Sequence, residues 1–216
     1  MFKKIKNAIL GATLALGLYA GTVKAEEPKF NLGYNALETA VDTERTSEGE
    51  RTIRNRLFTN VSLDIKELEI GYQGLNEVND WDSDSYFGRN RFMFGKVDSP
   101  LKLLIDTKAN KKEIFDTKVG ARYSGLMQKL GGYGNIDMSL DDEALNLNLF
   151  YGKPLGKGFS VEFSQDITKP YGEDASYYTE LQLNKSLTDR ISLFGRLEMA
   201  EFDNDKKKYL VGLSIK

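Results

Sequence analysis

Apolar and polar side chains alternate along almost the whole chain, and this period of two constrains the fold more than any other feature. In 145–163 the sequence LNLNLFYGKPLGKGFSVEF alternates, breaks at a Pro/Gly turn and then alternates again. Because successive side chains of a strand point to opposite faces, this segment predicts a hairpin with one apolar and one polar face. The sequence therefore predicts an all-β protein.

Twelve alternating segments follow one another along the chain, with ten strands as the lower alternative, and no segment of helical period interrupts them. The chain has no cysteine, so an exported sheet of this size cannot depend on disulfides. We therefore expect a single up-and-down antiparallel barrel. The predicted strands cover 28–40, 51–64, 67–75, 85–97, 101–108, 113–125, 130–140, 143–152, 158–168, 176–185, 190–202 and 207–216.

The first 25 residues have the composition of a secretory signal peptide. Three lysines lie within the first six residues, the apolar run 8–21 follows, and small residues precede a cut after Ala25. The apolar run is shorter than the roughly 20 residues that a membrane-spanning helix needs. The sequence thus predicts a signal peptide at 1–25 and a barrel domain at 26–216.

The alternation leaves open which face of the sheet meets water. A soluble lipocalin-like barrel places Leu145, Leu147 and Leu149 inside. A transmembrane barrel places these leucines against lipid and turns Asn146 and Asn148 inward. Most functional conclusions depend on this choice.

The connections between predicted strands favour the transmembrane barrel. Those after even-numbered strands are short, whereas those after odd-numbered strands include the longer, charged segments 41–50, 76–84 and 168–175. Short turns at one rim and long loops at the other are typical of outer-membrane barrels, with the short side in the periplasm. An even strand number then places both termini in the periplasm.

On the apolar face of the predicted strands, aromatic residues lie near the two strand ends, and aliphatic residues lie between them. Two such bands match the aromatic girdles of a membrane barrel, so we expect the apolar face to contact lipid. The long-loop band contains Tyr72, Tyr86, Phe115, Tyr177 and Tyr209, and the short-turn band contains Phe30, Phe94, Tyr123, Tyr151 and Phe159.

The residues on the opposite, polar face of the strands then line the lumen, and many of them are charged. A basic wall is predicted from three alternate strands, and an acidic wall from three strands on the other side, with Arg196 as an exception. The basic wall contains Arg54, Arg56, Arg89, Arg91, Lys118 and Arg122, and the acidic wall contains Glu162, Asp166, Glu180 and Glu198.

Two interpretations of these walls compete. In an open pore, facing walls of opposite charge orient polar or charged solutes, and the guanidinium groups favour anionic ones. In a plugged barrel, the same residues pair across the lumen, and the protein has a structural or adhesive role through its surface loops. A soluble periplasmic binding barrel is the third hypothesis.

Enzymatic and nucleic-acid functions are not predicted. The chain has no histidine and no cysteine, which excludes His-assisted nucleophilic catalysis and Cys/His metal sites. The acidic segment 80–84, DWDSD, lacks the glycine and distal glutamate of an EF-hand loop. We assign no catalytic residue, cofactor or metal, and basic–aromatic motifs for nucleic acid are absent from the sequence.

The signal-like segment, the amphipathic strands and turns of the kind KSLTDRISLFGRLEM together resemble small Gram-negative outer-membrane channels. The arginine-bearing lumen resembles the oligogalacturonate-specific porin family, which are monomeric twelve-stranded barrels for acidic oligosaccharides. The resemblance implies a monomer, with membrane lipids, small hydrophilic solutes and the barrel-assembly machinery as partners. The resemblance implies a role in the lumen only for those arginines that lie on the lumen-facing side of their predicted strands. They are Arg54, Arg56, Arg89, Arg91 and Arg122.

Overall fold

The computed structural model describes residues 28–43, 51–201 and 207–216, so the predicted signal peptide lies outside the described residues. Within them, strands account for nearly all regular structure. They are β1 (Lys29–Leu32), β2 (Ala36–Asp42), β3 (Ile53–Ile65), β4 (Leu68–Asn79), β5 (Phe87–Lys96), β6 (Leu101–Asn110), β7 (Ile114–Tyr123), β8 (Tyr133–Leu140), β9 (Ala144–Gly156), β10 (Phe159–Pro170), β11 (Ser176–Ser186), β12 (Ile191–Ala200) and β13 (Lys207–Ile215).

Strands β2 to β13 form a closed antiparallel barrel of twelve strands. Each strand pairs with its sequence neighbours, and β13 closes the ring by pairing with β2, so that Val211 lies opposite Val41. Every connection joins adjacent antiparallel strands, which makes the barrel up-and-down. The predicted fold class and the predicted strand number of twelve are confirmed.

The first predicted strand, 28–40, is divided in two. Residues 33–35 interrupt it, and the short β1 pairs only with β3, where Phe30 lies opposite Leu63. The side-chain amide of Asn35 donates to the carbonyl oxygen of Gly33. This local hydrogen bond competes with the ladder and explains the break.

Two short helical turns occur in the connections. A 3₁₀ turn, Ser83–Ser85, lies between β4 and β5, and helix α1 (Gly125–Lys129) lies between β7 and β8. Neither was expected from the alternation pattern. In the part of the chain that the structure describes, no helix is long and apolar enough to span a membrane.

Burial in the barrel is the reverse of burial in a soluble protein. Among the described residues, eight hydrophobic side chains are buried, against eighteen polar or charged ones. Asn146 and Asn148 are buried, whereas Leu147 between them is exposed on the outer face. Charged groups at this density cannot occupy an apolar core. The polar parity therefore faces the lumen, which decides the question that the alternation left open.

The outer face is an apolar belt with aromatic residues near both rims. Phe30, Tyr123 and Phe159 are exposed at the short-turn rim, and Tyr177 and Tyr209 at the long-loop rim. Their outward positions agree with the predicted girdles.

Phe115, another residue of the predicted long-loop girdle, lies beside a register irregularity between β6 and β7, where Ala109 pairs with Ile114. It is 51% exposed and also borders the lumen cavity, so its place in the girdle stays a prediction.

Left-handed backbone conformations form the tight turns at the short-turn rim. Lys157 (φ 52°) and Gly158 (φ 77°) connect β9 to β10, and Lys66 (φ 58°) lies between β3 and β4. Two successive residues with positive φ give a turn whose twist matches that of the flanking strands. The Pro/Gly segment in the sequence thus fixes this hairpin.

We expect Leu181→Arg to destabilise the barrel in lipid vesicles. Leu181 lies near the middle of β11 with 45% of its surface exposed outward, and an arginine at the bilayer midplane costs about 2–4 kcal/mol. Urea unfolding in vesicles measures this change. The control is Ser164→Lys, which places a charge on the lumen side, and equal destabilisation by both variants would contradict the assigned faces.

Candidate functional site

The lumen holds a cavity of about 1130 Å³ and is the candidate functional site. Residues from both ends of the barrel line it, including Ser186 and Ser192 near the short-turn rim and Phe87 and Thr168 near the long-loop rim. Five of the six predicted basic-wall residues line this cavity, namely Arg54 and Arg56 on β3, Arg89 and Arg91 on β5 and Arg122 on β7, and most of the lining side chains are polar. The cavity can therefore hold water and small polar solutes.

The first group of charges joins β3 and β4 to β11 and β12, and we call it the Arg56 cluster. It contains Arg54, Arg56, Glu77, Glu180 and Glu198. Arg54 Nη1 donates to Glu198 Oε1 at 2.6 Å, and Arg56 Nη2 donates to Glu180 Oε1 at 2.9 Å. Three barrel strands separate β3 from β11. The Arg56–Glu180 pair is therefore a chord across the lumen.

Arg56 is bound by a carboxylate on the adjacent strand as well as by Glu180 across the lumen. Its Nε donates to Glu77 Oε2 on the adjacent strand at 2.6 Å, and its side chain is only 7% exposed. Glu198 is 3% exposed and accepts hydrogen bonds from both Arg54 and Arg56. This arrangement pairs each guanidinium with more than one carboxylate.

The second group joins β5, β6, β7, β8 and β10, and we call it the Arg89 cluster. It contains Arg89, Arg91, Asp106, Arg122, Asp137 and Asp166. Arg89 Nη1 reaches Asp166 Oδ1 at 3.0 Å, while its Nη2 reaches Asp106 Oδ2 at 2.6 Å. Four strands separate β5 from β10 one way round the barrel and six the other way. The Arg89–Asp166 pair therefore bridges nearly opposite walls.

Within this cluster Arg122 is bound on its own wall. Its Nε and Nη2 each lie 2.7 Å from a carboxylate oxygen of Asp137, and its Nη1 donates to Gln73 and contacts the sulfur of Met93. Such a two-pronged contact fixes the guanidinium plane.

Arg91 is bound less closely than Arg89 and Arg122, the other two arginines of this cluster. Its Nε lies 3.6 Å from Asp106 Oδ2 and 3.6 Å from Asp137 Oδ2, which is too far for a hydrogen bond. Among the described residues, neither Nε nor Nη2 of Arg91 has a hydrogen-bond partner, although both nitrogens are buried. The two aspartates are already bound by Arg89 and Arg122.

The remaining predicted wall residues have other partners. Lys118 bonds to Asp116 at 2.8 Å and to Asp141 near the long-loop rim. Glu162 accepts a hydrogen bond from the hydroxyl of Tyr133 at 2.6 Å rather than from a basic residue. Lys118 and Glu162 therefore belong to neither cluster.

Asp141 lies in the turn between β8 and β9, outside the strands. Burial acts to raise its pKa, but hydrogen bonds from Lys118 and from the backbone N–H groups of Glu143 and Ala144 outweigh this effect. The pKa of Asp141 is therefore below its ordinary value, which favours the charged form that holds Lys118.

The structure also assigns four acidic lumen residues that the sequence analysis left out: Glu38, Glu77, Asp106 and Asp137. Glu38 pairs with Arg196, the exception on the acidic wall. Each lies on the polar parity of its strand, so the same alternation could have identified them. The predicted basic wall is therefore not an uncompensated positive surface, because carboxylates from adjacent strands neutralise it.

Both clusters place charged groups in the middle of the lumen rather than only along its walls. The Arg56–Glu180 and Arg89–Asp166 pairs cross the lumen, so they narrow the space between its walls. In the described part of the chain, no group of three or more carboxylate side chains is arranged to hold a metal ion.

Neither a protein-family model nor a curated protein sequence matches the chain. The chain is similar to solved porin structures. The KdgM porin is 8% identical, with 84% of this chain and 98% of that chain covered and a TM-score of 0.38. An engineered variant of the Rhodopseudomonas blastica porin is 10% identical, with 88% and 99% covered and a TM-score of 0.39.

We expect Glu198→Ala to lower the free energy of unfolding by about 3 kcal/mol, because it leaves buried guanidinium groups unpaired. Equilibrium urea unfolding in vesicles measures the change. The matched control is Glu67→Ala, which removes an 83% exposed carboxylate that pairs with Lys96 at the short-turn rim and should cost less than about 1 kcal/mol. Similar losses in the two variants would show that the Arg56 cluster does not stabilise the barrel.

Proposed function

We propose that the protein is an outer-membrane channel for the passive diffusion of small hydrophilic solutes. The observation that carries this proposal is the reversed burial of the barrel, with a polar cavity of about 1130 Å³ inside an apolar outer belt. An apolar outer face supports insertion into lipid, and a closed sheet has no open edge whose backbone groups would be left unpaired there. The lumen lining supports a path for water and polar solutes.

The proposed location follows from the same features. A signal peptide at 1–25 takes the chain across the inner membrane, and the belt then contacts outer-membrane lipids. We expect the barrel-assembly machinery to insert it and the protein to act as a monomer. The porin-like architecture supports a channel rather than an enzyme, and no catalytic group is part of the proposal.

The preference of the channel for anions is expected to be small. Most lumen arginines are already paired: Arg56 with Glu77 and Glu180, and Arg89 with Asp106. Local pairing cancels much of the field that a purely basic wall would create. The lumen therefore favours polar solutes in general more than anions in particular.

A second candidate function is a non-conducting structural or adhesive barrel that presents its surface loops. The Arg89–Asp166 bridge favours it, because a chord between nearly opposite walls narrows the lumen. The two candidates differ in a single measurable property, the conductance of the purified protein.

Conductance in planar bilayers tests both candidates. We expect the wild type to conduct, and Asp166→Ser combined with Glu180→Gln to conduct roughly twofold more, because both chords are then removed. Arg89 stays bound to Asp106 and Arg56 to Glu77 and Glu198 in this variant, so the walls remain paired.

The matched control removes two negative charges without touching a chord: Glu67→Gln combined with Glu162→Gln. It should conduct like the wild type. A wild type that stays closed while the chord variant opens would establish the structural barrel with an ionic plug. If neither protein conducts, the channel proposal fails.

Single cysteines test the proposed orientation, since the chain has none of its own. Asp174→Cys in the loop before β11 should react with an impermeant maleimide on intact cells, and Asp189→Cys in the turn after β11 should react only after lysis. Both positions are exposed, and they lie at the two ends of one strand. The opposite labelling pattern would mean that the rims are inverted.

A further inference from the structure

Four aromatic side chains line the lumen on the short-turn side of the two charged clusters. Tyr34 and Phe58 form one pair, with ring centroids 6.3 Å apart, and Tyr133 and Phe150 form another, with centroids 6.0 Å apart. Phe58 follows Arg56 by two positions on β3, so both side chains are on the same face of that strand. The lumen therefore changes from charged to aromatic along its length.

The two aromatic pairs lie on opposite walls. Phe58 is on β3 and Phe150 is on β9, and five strands separate β3 from β9 in either direction round the barrel. Tyr34 and Tyr133 are within electrostatic range of each other and remain 42% and 44% exposed. A solute in this part of the lumen can therefore contact aromatic rings on two sides.

One carboxylate lies among these rings. Glu162 lines the same cavity, is partly exposed and accepts a hydrogen bond from the Tyr133 hydroxyl at 2.6 Å. Its neighbours on the two adjacent strands are Gly152 and Gln182, neither of which is basic. Within the described ranges of the chain, Glu162 forms no ion pair, unlike the carboxylates of the two clusters. Its charge is thus available to a cation that enters the lumen.

An ammonium group already contacts one of the rings. Lys216 Nζ lies 5.6 Å from the centroid of Tyr34, within the roughly 6 Å over which the face of an aromatic ring attracts a cation. The Lys216 side chain is exposed and lines the cavity, so it can move aside for a solute. The contact shows that the face of the Tyr34 ring is open to cations from the lumen.

We propose that the four rings and Glu162 form a binding site for small methylated ammonium ions, and we call this site the aromatic vestibule. The inference rests on the proposed channel function and names a solute class that the lumen binds. A quaternary ammonium group spreads its charge over methyl groups that pack against ring faces. Glu162 balances that charge.

Other solutes of similar size lack part of this match. A primary ammonium group is strongly hydrated and needs acceptors for three N–H groups, whereas one oxygen of Glu162 is already bound by Tyr133. A neutral solute can pack against the rings but gains nothing from their electrostatic attraction or from Glu162. We therefore expect the aromatic vestibule to bind methylated ammonium ions more strongly than either.

Three small molecules of related shape separate these contributions. Choline carries a trimethylammonium group, ethanolamine keeps the positive charge without the methyl groups, and 3,3-dimethylbutan-1-ol keeps the shape without the charge. The measurement is the block of ionic current at fixed ionic strength, in planar bilayers of phosphatidylethanolamine and phosphatidylglycerol, which contain no choline. Choline should block at a concentration about tenfold lower than either of the other two.

Variants assign the contacts to residues, with the block expressed relative to the current of each variant alone. Glu162→Gln keeps an acceptor for Tyr133 but loses the charge, and it should weaken the choline block about fivefold. Tyr133→Leu should weaken it about threefold, whereas Tyr133→Phe keeps the ring and should retain the block. The matched control is Glu69→Gln, which removes a carboxylate that pairs with Lys102 at the short-turn end of β4 and should leave the block unchanged.

Lys216→Gln tests whether the ring of Tyr34 takes part. The variant removes the ammonium group that competes for this ring, so choline should block at a concentration about twofold lower than in the wild type. A choline block that is unchanged or weaker in this variant would contradict the role of Tyr34 in the aromatic vestibule.

The outcomes separate this site from the channel proposal. If the wild type conducts but choline blocks no better than ethanolamine and 3,3-dimethylbutan-1-ol, the aromatic vestibule does not bind methylated ammonium ions and the channel stands. If the protein does not conduct, calorimetric titration of the maltoside-solubilised barrel with choline decides the site instead. Binding that is weakened in Glu162→Gln and kept in Glu69→Gln then supports the site, and no binding overturns it.

Discussion

The hydrogen bonds between β13 and β2 close the sheet, and the rest of the structure depends on this closure. They run from Leu37 to Asp42 on one strand and from Leu210 to Ile215 on the other. In an apolar environment an open sheet edge leaves backbone groups unpaired at a cost of several kcal/mol each. Closure removes that cost and also creates an enclosed lumen, so one constraint yields both the apolar belt and the polar interior.

Closure also explains why the charged residues form chords. Among the described residues, inward-facing side chains form only a small buried apolar cluster, Ala40, Phe194 and Leu210, and long charged side chains from different walls can meet in the rest of the lumen. Arg56 and Arg89 each bind a carboxylate on the adjacent strand and a second carboxylate across the lumen. The adjacent contact orients the guanidinium plane, and the remaining nitrogens extend toward the far wall. Stability and constriction therefore come from the same residues.

Arg91 shows that a network of this kind can leave buried donors without an acceptor. Its neighbours use the two nearby aspartates for two-pronged contacts, which leaves Arg91 at 3.6 Å from both. The Nε and Nη2 groups of Arg91 are buried and have no hydrogen-bond acceptor among the described residues, so the two aspartates orient Arg89 and Arg122 more firmly than Arg91.

The sequence by itself determined the strands, the fold class and the two faces of the sheet, because an alternation of two residues maps directly onto the sides of a strand. It placed Leu147 outside and Asn148 inside, and its Pro/Gly turn located the β9–β10 hairpin. Only the tertiary structure decided which charges meet. The pairing of Arg89 with Asp166 depends on barrel diameter, strand register and side-chain reach, and none of these is local to either strand.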